Sequence, residues 1–153
     1  MTVRAPILVC AGISVEDMVF QVERFATGPT KIHATSFDVV GGGNAANAAI
    51  AAARLGSGVR VATAVGDDAV GRRLVDRFIR EGIDTSFMLR LPGVPTPVAA
   101  ITVDIDGNRQ AVVRRDDRID VALPDKAVAA LLDGADALVA DTRMDILVPR
   151  ILD

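Results

Sequence analysis

The chain has 153 residues, with 17 basic and 20 acidic side chains and a formal net charge of −3. Half of it is hydrophobic but only 3% aromatic, with five Phe and neither Trp nor Tyr, so any core must be built from Ala, Val, Leu and Ile. An ordinary charged fraction of 24% excludes wholesale disorder, and the lack of a basic excess or of Tyr and Trp for base stacking speaks against nucleic-acid binding.

Ile7 to Ile13 is apolar throughout and stops at Gly12 and Ser14, the pattern of a short buried strand. Val19 to Phe25 alternates polar and apolar residues and predicts an exposed ribbon. After the turn Thr27-Gly28-Pro29-Thr30, Lys31 to Val40 returns beside it as a hairpin. Gly41-Gly42-Gly43 then opens an alanine-rich helix from Asn44 to Leu55, stopped by Gly56. Side chains this small suit close packing on several sides, against a sheet beside a ligand.

Val59 to Val65 predicts a strand and Gly66-Asp67-Asp68 its end. Asp67 or Asp68 caps a helix that buries Val70, Leu74, Phe78 and Ile79 and ends at Gly82. Short extended runs follow at Ile83 to Arg90 and Val98 to Ile105. Asp106-Gly107 marks a hairpin turn, with Ala111 to Arg114 returning. Pro124 and Asp125 open a third helix to Leu132, and Ala137 to Ala140 is a last strand, followed by Asp141-Thr142-Arg143. Strands alternating with helices predict a parallel α/β sheet covered by helices, with the hairpins projecting from it. The chain ends directly after a βα start, which reads as a stop in mid-fold.

Several chemistries find no residues. Cys10 is the only Cys, so no intrachain disulfide can form and nothing points to an oxidising compartment. His33 is the only His and sits in a loop setting, which excludes multi-His and Cys/His zinc sites. There is no G-x-S-x-G elbow for a Ser-His-Asp triad. No stretch approaches the ~18 to 20 apolar residues of a membrane-spanning helix, and the expected location is the cytoplasm.

The strongest local signal is Gly41-Gly42-Gly43-Asn44-Ala45-Ala46, a G-x-G-x-x-G/A pattern at a helix start. Free backbone N–H groups there favour an anion or a hydroxyl-rich ligand. A dinucleotide-binding oxidoreductase fragment is one reading, with Asp67 on the ribose, although a hairpin intervenes between the first strand and the glycines. Asn44 and Asn47, three apart, offer amides that both donate and accept, which suit a sugar better than a pyrophosphate. A non-catalytic sugar-binding or structural module is the third reading.

Gly42-Gly43-Asn44-Ala45-Ala46-Asn47-Ala48-Ala49, Ala53-Arg54-Leu55-Gly56 and Val65-Gly66-Asp67-Asp68 with Gly71 together resemble the first signature of the ribokinase-like (PfkB) carbohydrate kinases. Gly12 to Asp17 and the two hairpins match in the same order, over essentially the whole chain, and the branch containing sulfofructose kinase looks most similar. The resemblance implies a Rossmann-like α/β domain with a small β-sheet lid (segments about 18–40 and 97–115), and a homodimer formed through that lid. It implies that Asp17 holds sugar hydroxyls, that Gly42 and Gly43 pack against the sugar and that Asn47 bonds it.

Two positions depart from ribokinase. Val15 replaces an Asn, which puts ribose in doubt. Arg143 replaces a sugar-bonding Glu, and a guanidinium there favours a carboxylate, phosphate or sulfonate on the substrate. Lys31 matches an anion-contacting Lys of the sulfofructose kinase branch. The bland alternatives are an Arg143 ion pair with Asp141 or Asp145, a solvated Lys31, and a loop of mutually paired charges for Arg114, Arg115 and Arg118 beside Asp116 and Asp117.

The resemblance also implies ATP and Mg²⁺ as cofactors of the full-length family member. The family's Gly-Ala-Gly-Asp motif, which carries the base and the anion hole, does not occur here, and no Walker A loop replaces it. The 153 residues are therefore expected to form the sugar-binding half of a sugar kinase, bind no cofactor by themselves and be inactive alone.

Overall fold

The computed structural model describes residues 4–153. Its elements, in chain order, are β1 (Ile7–Ala11), β2 (Val15–Gln21), β3 (Ser36–Gly42), α1 (Asn44–Arg54), β4 (Gly58–Gly66), α2 (Ala69–Arg80), β5 (Met88–Leu91), β6 (Val98–Val103) and β7 (Arg109–Arg114). A short 3₁₀ turn at Asp117–Ile119 precedes α3 (Asp125–Leu132), β8 (Ala137–Ala140) and α4 (Leu147–Leu152).

The apolar strands make one parallel sheet in the order β5-β4-β1-β8. β1 lies between β4 (Ile7↔Gly58 to Ala11↔Ala62) and β8 (Leu8↔Ala137 to Ala11↔Ala140). A strand flanked on both sides and covered on both faces has to be apolar at every position, and Val9, Cys10 and Ala11 are fully buried. On one face, Cys10, Val59 and Val61 pack against Ala46, Ala49 and Ile50 of α1 and Phe78 of α2. On the other, Val9, Ala11, Ala62 and Ala64 meet Leu131, Leu147 and Ile151 from α3 and α4. Burial pushes the Cys10 thiol up to about 11, which keeps it a packed hydrophobe rather than a nucleophile.

The two expected hairpins are one sheet. β3-β2-β6-β7 forms a second four-stranded layer, antiparallel at β2–β3 and β6–β7 and parallel at β2–β6. The β2–β6 pairing joins segments some eighty residues apart, which periodicity cannot reveal. The expected first ribbon also shifts: it runs from Val15 to Gln21 rather than from Val19 to Phe25. Lys31 to Thr35 is not strand. The cause is the closure of the ribbon at Gln21, whose carbonyl accepts from both the backbone N–H and the hydroxyl of Thr35. No helix among the described residues is long and apolar enough to cross a membrane.

Candidate functional site

Strand alternation decides which side chains of the second sheet face inward. Asp17 stands opposite Val40 on β3 and Ala99 on β6, and Ala99 opposite Val113 on β7, so these share a face. Val15 and Val19, two residues to either side of Asp17, belong to the core. Asp17 is therefore the one carboxylate in an apolar row. Burial pushes its carboxyl above the ordinary value of 3.8, and Arg109 pulls it partly back.

The glycines of the β3–α1 connection have structural reasons to be glycine. A Cβ on Gly42 would overlap the Asp17 carboxylate, and one on Gly43 would overlap the Ile13 carbonyl. Gly43 also has φ +102°, a backbone conformation that side chains disfavour. The turn thus brings the start of α1 against β2 and the end of β1, with Asp17 touching Gly42.

A second carboxylate, which the sequence reading left only as a partner for Arg143, organises the same corner. Asp141, just past β8, is buried. It accepts from the N–H of Ile13 (3.1 Å), Ala45 (3.3 Å) and Arg143 (2.9 Å), and it lies so close to Gly12 that a Cβ there would overlap it. The N-terminus of α1 therefore already has its anion. A pyrophosphate would have to displace a buried carboxylate, and the glycine loop follows β3 rather than β1. The dinucleotide reading loses its physical basis on both counts. Its ribose-binding Asp67 is exposed beside Arg72 (3.9 Å), and Asp68, not Asp67, caps α2.

Asp68 accepts from the N–H groups of Gly71 (2.8 Å) and Thr96 (2.8 Å) and from the Thr96 hydroxyl (2.7 Å). Burial opposes its ionisation, but these hydrogen bonds outweigh it and hold the carboxyl below the usual range. It thereby fastens α2 to the residues leading into β6. On the outer side of β2, Glu16 receives two hydrogen bonds from Arg73 (2.8 and 2.6 Å). The second sheet is thus pinned to α2 next to Asp17.

Between the sheets lies a cavity of about 280 Å³ lined by Ile13, Val15, Asp17, Gly43, Asn44, Ala99, Arg109, Val113, Arg115 and Arg143. It lies near the lower end of small-molecule sites, about 300 Å³, a size for a monosaccharide rather than a dinucleotide. Of the expected residues, Asp17, Gly43, Asn44 and Arg143 meet there, and Gly42 backs Asp17. Asn47 is exposed on the next turn of α1 and is not among the lining residues; its N–H donates to the Gly43 carbonyl (2.9 Å). Lys31 is exposed in a separate groove with Glu23, Arg24 and His33.

Arg143 takes part in no ion pair among the described residues; only its backbone bonds Asp141. Arg118 does pair with Asp116 (2.7 Å), as expected of a solvated loop. Arg115 does not fit that picture: it reaches into the cavity, and Arg109, not singled out from the sequence, joins it. The available signal was register, since Arg109 pairs with Val103 and shares the face of Asp17. Among the described residues no group of three or more His, Cys, Asp or Glu is placed to hold a metal ion, so the residues present do not fit a Mg²⁺ site.

Comparison with known proteins agrees with this architecture. The pfkB family carbohydrate kinase profile matches residues 6–151. A ribokinase from Haemophilus influenzae is 33% identical over 87 residues, covering 57% of this chain and 28% of that protein. A solved structure from Agrobacterium tumefaciens is 30% identical with a TM-score of 0.82, covering 92% of this chain and 46% of the other. A Xylella fastidiosa fructokinase with bound ATP is 27% identical with a TM-score of 0.57, covering 73% of this chain and 34% of its own. The chain thus spans less than half the length of these relatives, and by sequence and fold it belongs to the pfkB family of carbohydrate kinases.

Proposed function

We propose that this chain is the sugar-binding portion of an ATP-dependent sugar kinase, in which a sugar hydroxyl accepts the γ-phosphoryl group. The supporting observation is the half-buried Asp17 carboxylate, held against Gly42 and facing the same cavity as Asn44. A partly desolvated carboxylate with no hydrogen-bond donor among the described residues recruits hydroxyl donors, and the neighbouring Asn44 amide donates and accepts. In this reading Asp17 and Asn44 orient the ring, and Gly42 and Gly43 let it approach the backbone. The second sheet acts as a lid that excludes water.

In this reading the phosphoryl donor is ATP, which would supply the γ-phosphoryl group when bound. The Xylella fructokinase with bound ATP supports the nucleotide requirement. The chain contains neither a Gly-Ala-Gly-Asp nor a Walker A sequence. We therefore place the hydroxyl-deprotonating base and the nucleotide contacts outside these 153 residues. A cytoplasmic location, where ATP is present, goes with this reading.

Titration calorimetry with ribose and fructose tests the site. Sugar binding by the wild-type chain and at least a tenfold loss in Asp17→Asn are expected, with no sugar-dependent ADP formation by the chain alone. Equal affinity in both proteins would remove Asp17 from the site. No change in melting temperature with sugars or nucleotides would favour a non-catalytic module, since any ligand of the folded state must raise stability.

The outer face of the second sheet supports the expected homodimer. Phe37, Val39 and Val112 are exposed there, with Phe20 against Phe37 at 4.8 Å between ring centroids. Val112→Lys is expected to shift the chain to monomer in sedimentation velocity without changing its fold.

A further inference from the structure

We infer that Arg73 of α2, acting through Glu16, is a positioning residue for the candidate sugar site: it fixes from behind the two-stranded ribbon whose front carries Asp17 and Gly42. The inference rests on the sugar-kinase reading and extends it to side chains that do not line the Asp17 cavity.

Successive residues of a strand point to opposite faces. On β2, Asp17 faces the cavity and Glu16 faces α2, where Arg73 donates to both of its carboxylate oxygens (2.8 and 2.6 Å). The same alternation holds on β3. Gly42 touches Asp17, whereas Gly41 lies against Arg77, so closely that a Cβ there would stand 3.2 Å from the Arg77 Cδ. Glu16 and Gly41 are partners in the β2–β3 register, and Arg73 and Arg77 are four residues apart on one side of α2. Two neighbouring helix positions therefore meet two paired strand positions, directly behind the pair that shapes the cavity.

The ion pair is the main tie at this place. Glu16 is only 6% exposed, and Arg73 is the one side chain that pairs with it among the described residues. Behind the ribbon lies an open cavity of about 300 Å³, lined in part by Glu16, Gly41, Arg73, Leu74 and Arg77, so close packing does not hold the strands there. The other fastening of α2 to this sheet runs from Asp68 to Thr96, ahead of β6, and does not reach β2.

A buried carboxylate stripped of its partner is costly and turns toward water. Because Glu16 and Asp17 are consecutive and opposed, a twist of β2 that exposes the first displaces the second. The bidentate fork of Arg73 prevents that twist, and a lysine, which offers a point charge, does so less well.

The test combines calorimetry with ribose and fructose and amide NMR of the unliganded chain, both well below the melting temperature. Arg73→Gln is expected to bind sugar roughly tenfold more weakly than wild type and to move the Gly42 and Asn44 amide resonances. Arg73→Lys should recover part of both effects. Glu16→Gln combined with Arg73→Gln should lose no more affinity than the worse single variant, because the two side chains act as one unit. Arg72→Gln, one residue away and paired with exposed Asp67 at 3.9 Å, should leave both readouts unchanged.

A lower melting temperature in Arg73→Gln with unchanged sugar affinity and unmoved resonances overturns the inference and leaves a merely structural ion pair. Additive losses in the double variant overturn the route through Glu16. If wild type binds neither sugar, the sugar reading falls. The resonances then decide alone: movement in Arg73→Gln but not in Arg72→Gln retains the positioning of the cavity, and no movement overturns that too.

Discussion

The two sheets of this small chain obey different rules. In the parallel sheet, β1 is covered on both faces and bordered on both edges, and its centre has no exposure at all. In the second sheet β7 is exposed along its whole length, and only the inward face of β2 and β6 meets the core. One layer carries most of the buried core and the other presents charged side chains to the candidate cavity. Asp17, Arg109 and Arg115 all belong to, or directly follow, strands of the less covered layer. A partly covered sheet can present charged side chains to a cavity without burying them completely, which the parallel sheet cannot do.

That contrast can be broken most severely in the parallel layer. Phe78→Ala, beneath β1 and β4, is expected to cost about 3–5 kcal/mol, whereas Phe37→Ala on the outer face of the second sheet should cost under about 1 kcal/mol. Urea unfolding followed by far-UV circular dichroism measures both. Similar losses would erase the distinction between the layers.

Gly43→Ala comes next. The overlap with the Ile13 carbonyl and the positive φ together predict about 2–4 kcal/mol of destabilisation and loss of sugar binding. Asp141→Ala leaves the buried N–H groups of Ile13 and Ala45 unpaired, at about 1–3 kcal/mol.

Smaller effects sharpen the comparison through pH. Because the folded state raises the Asp17 pKa above 3.8, folding favours its protonated form. The site therefore lowers stability as pH rises through and beyond that window. Asp17→Asn should melt slightly higher than wild type at neutral pH and equally at pH well below 3.8, while binding sugar worse. Asp116 has the opposite sign and the smallest effect. Its partner Arg118 holds its carboxyl at about 2. The contribution is present above 3.8 and is lost as pH falls toward 2, and it should vanish in Asp116→Asn.

Much of the parallel layer was legible in the sequence, because its signals are local. The apolar run of β1, the alanine helix α1 and the amphipathic α2 each declare themselves within a dozen residues. The second sheet was legible only in part. Its turn at Asp106-Gly107 is a local signal, but the β2–β6 pairing and the start of β2 at Val15 depend on contacts far along the chain.

The site divides in the same way. Asp17, Gly42 and Gly43 came from a motif. Asp141's three hydrogen bonds and the placement of Arg109 and Arg115 at the cavity emerge only in three dimensions, whereas the charged sequence neighbours of Arg115 point to a solvated loop. For that residue sequence proximity misled, and strand register gave the better guide.

The hydrogen bonds of Asp141 reach back 96 residues to Ala45 and 128 to Ile13. During synthesis the glycine bend and α1 emerge from the ribosome long before the carboxylate that fixes them. The candidate pocket is consequently not complete until Asp141 is made, and a nascent chain shorter than about 141 residues has the motif but no rigid cradle. Ribosome-stalled intermediates of graded length should acquire sugar-dependent protease resistance in one step, when Asp141 clears the exit tunnel.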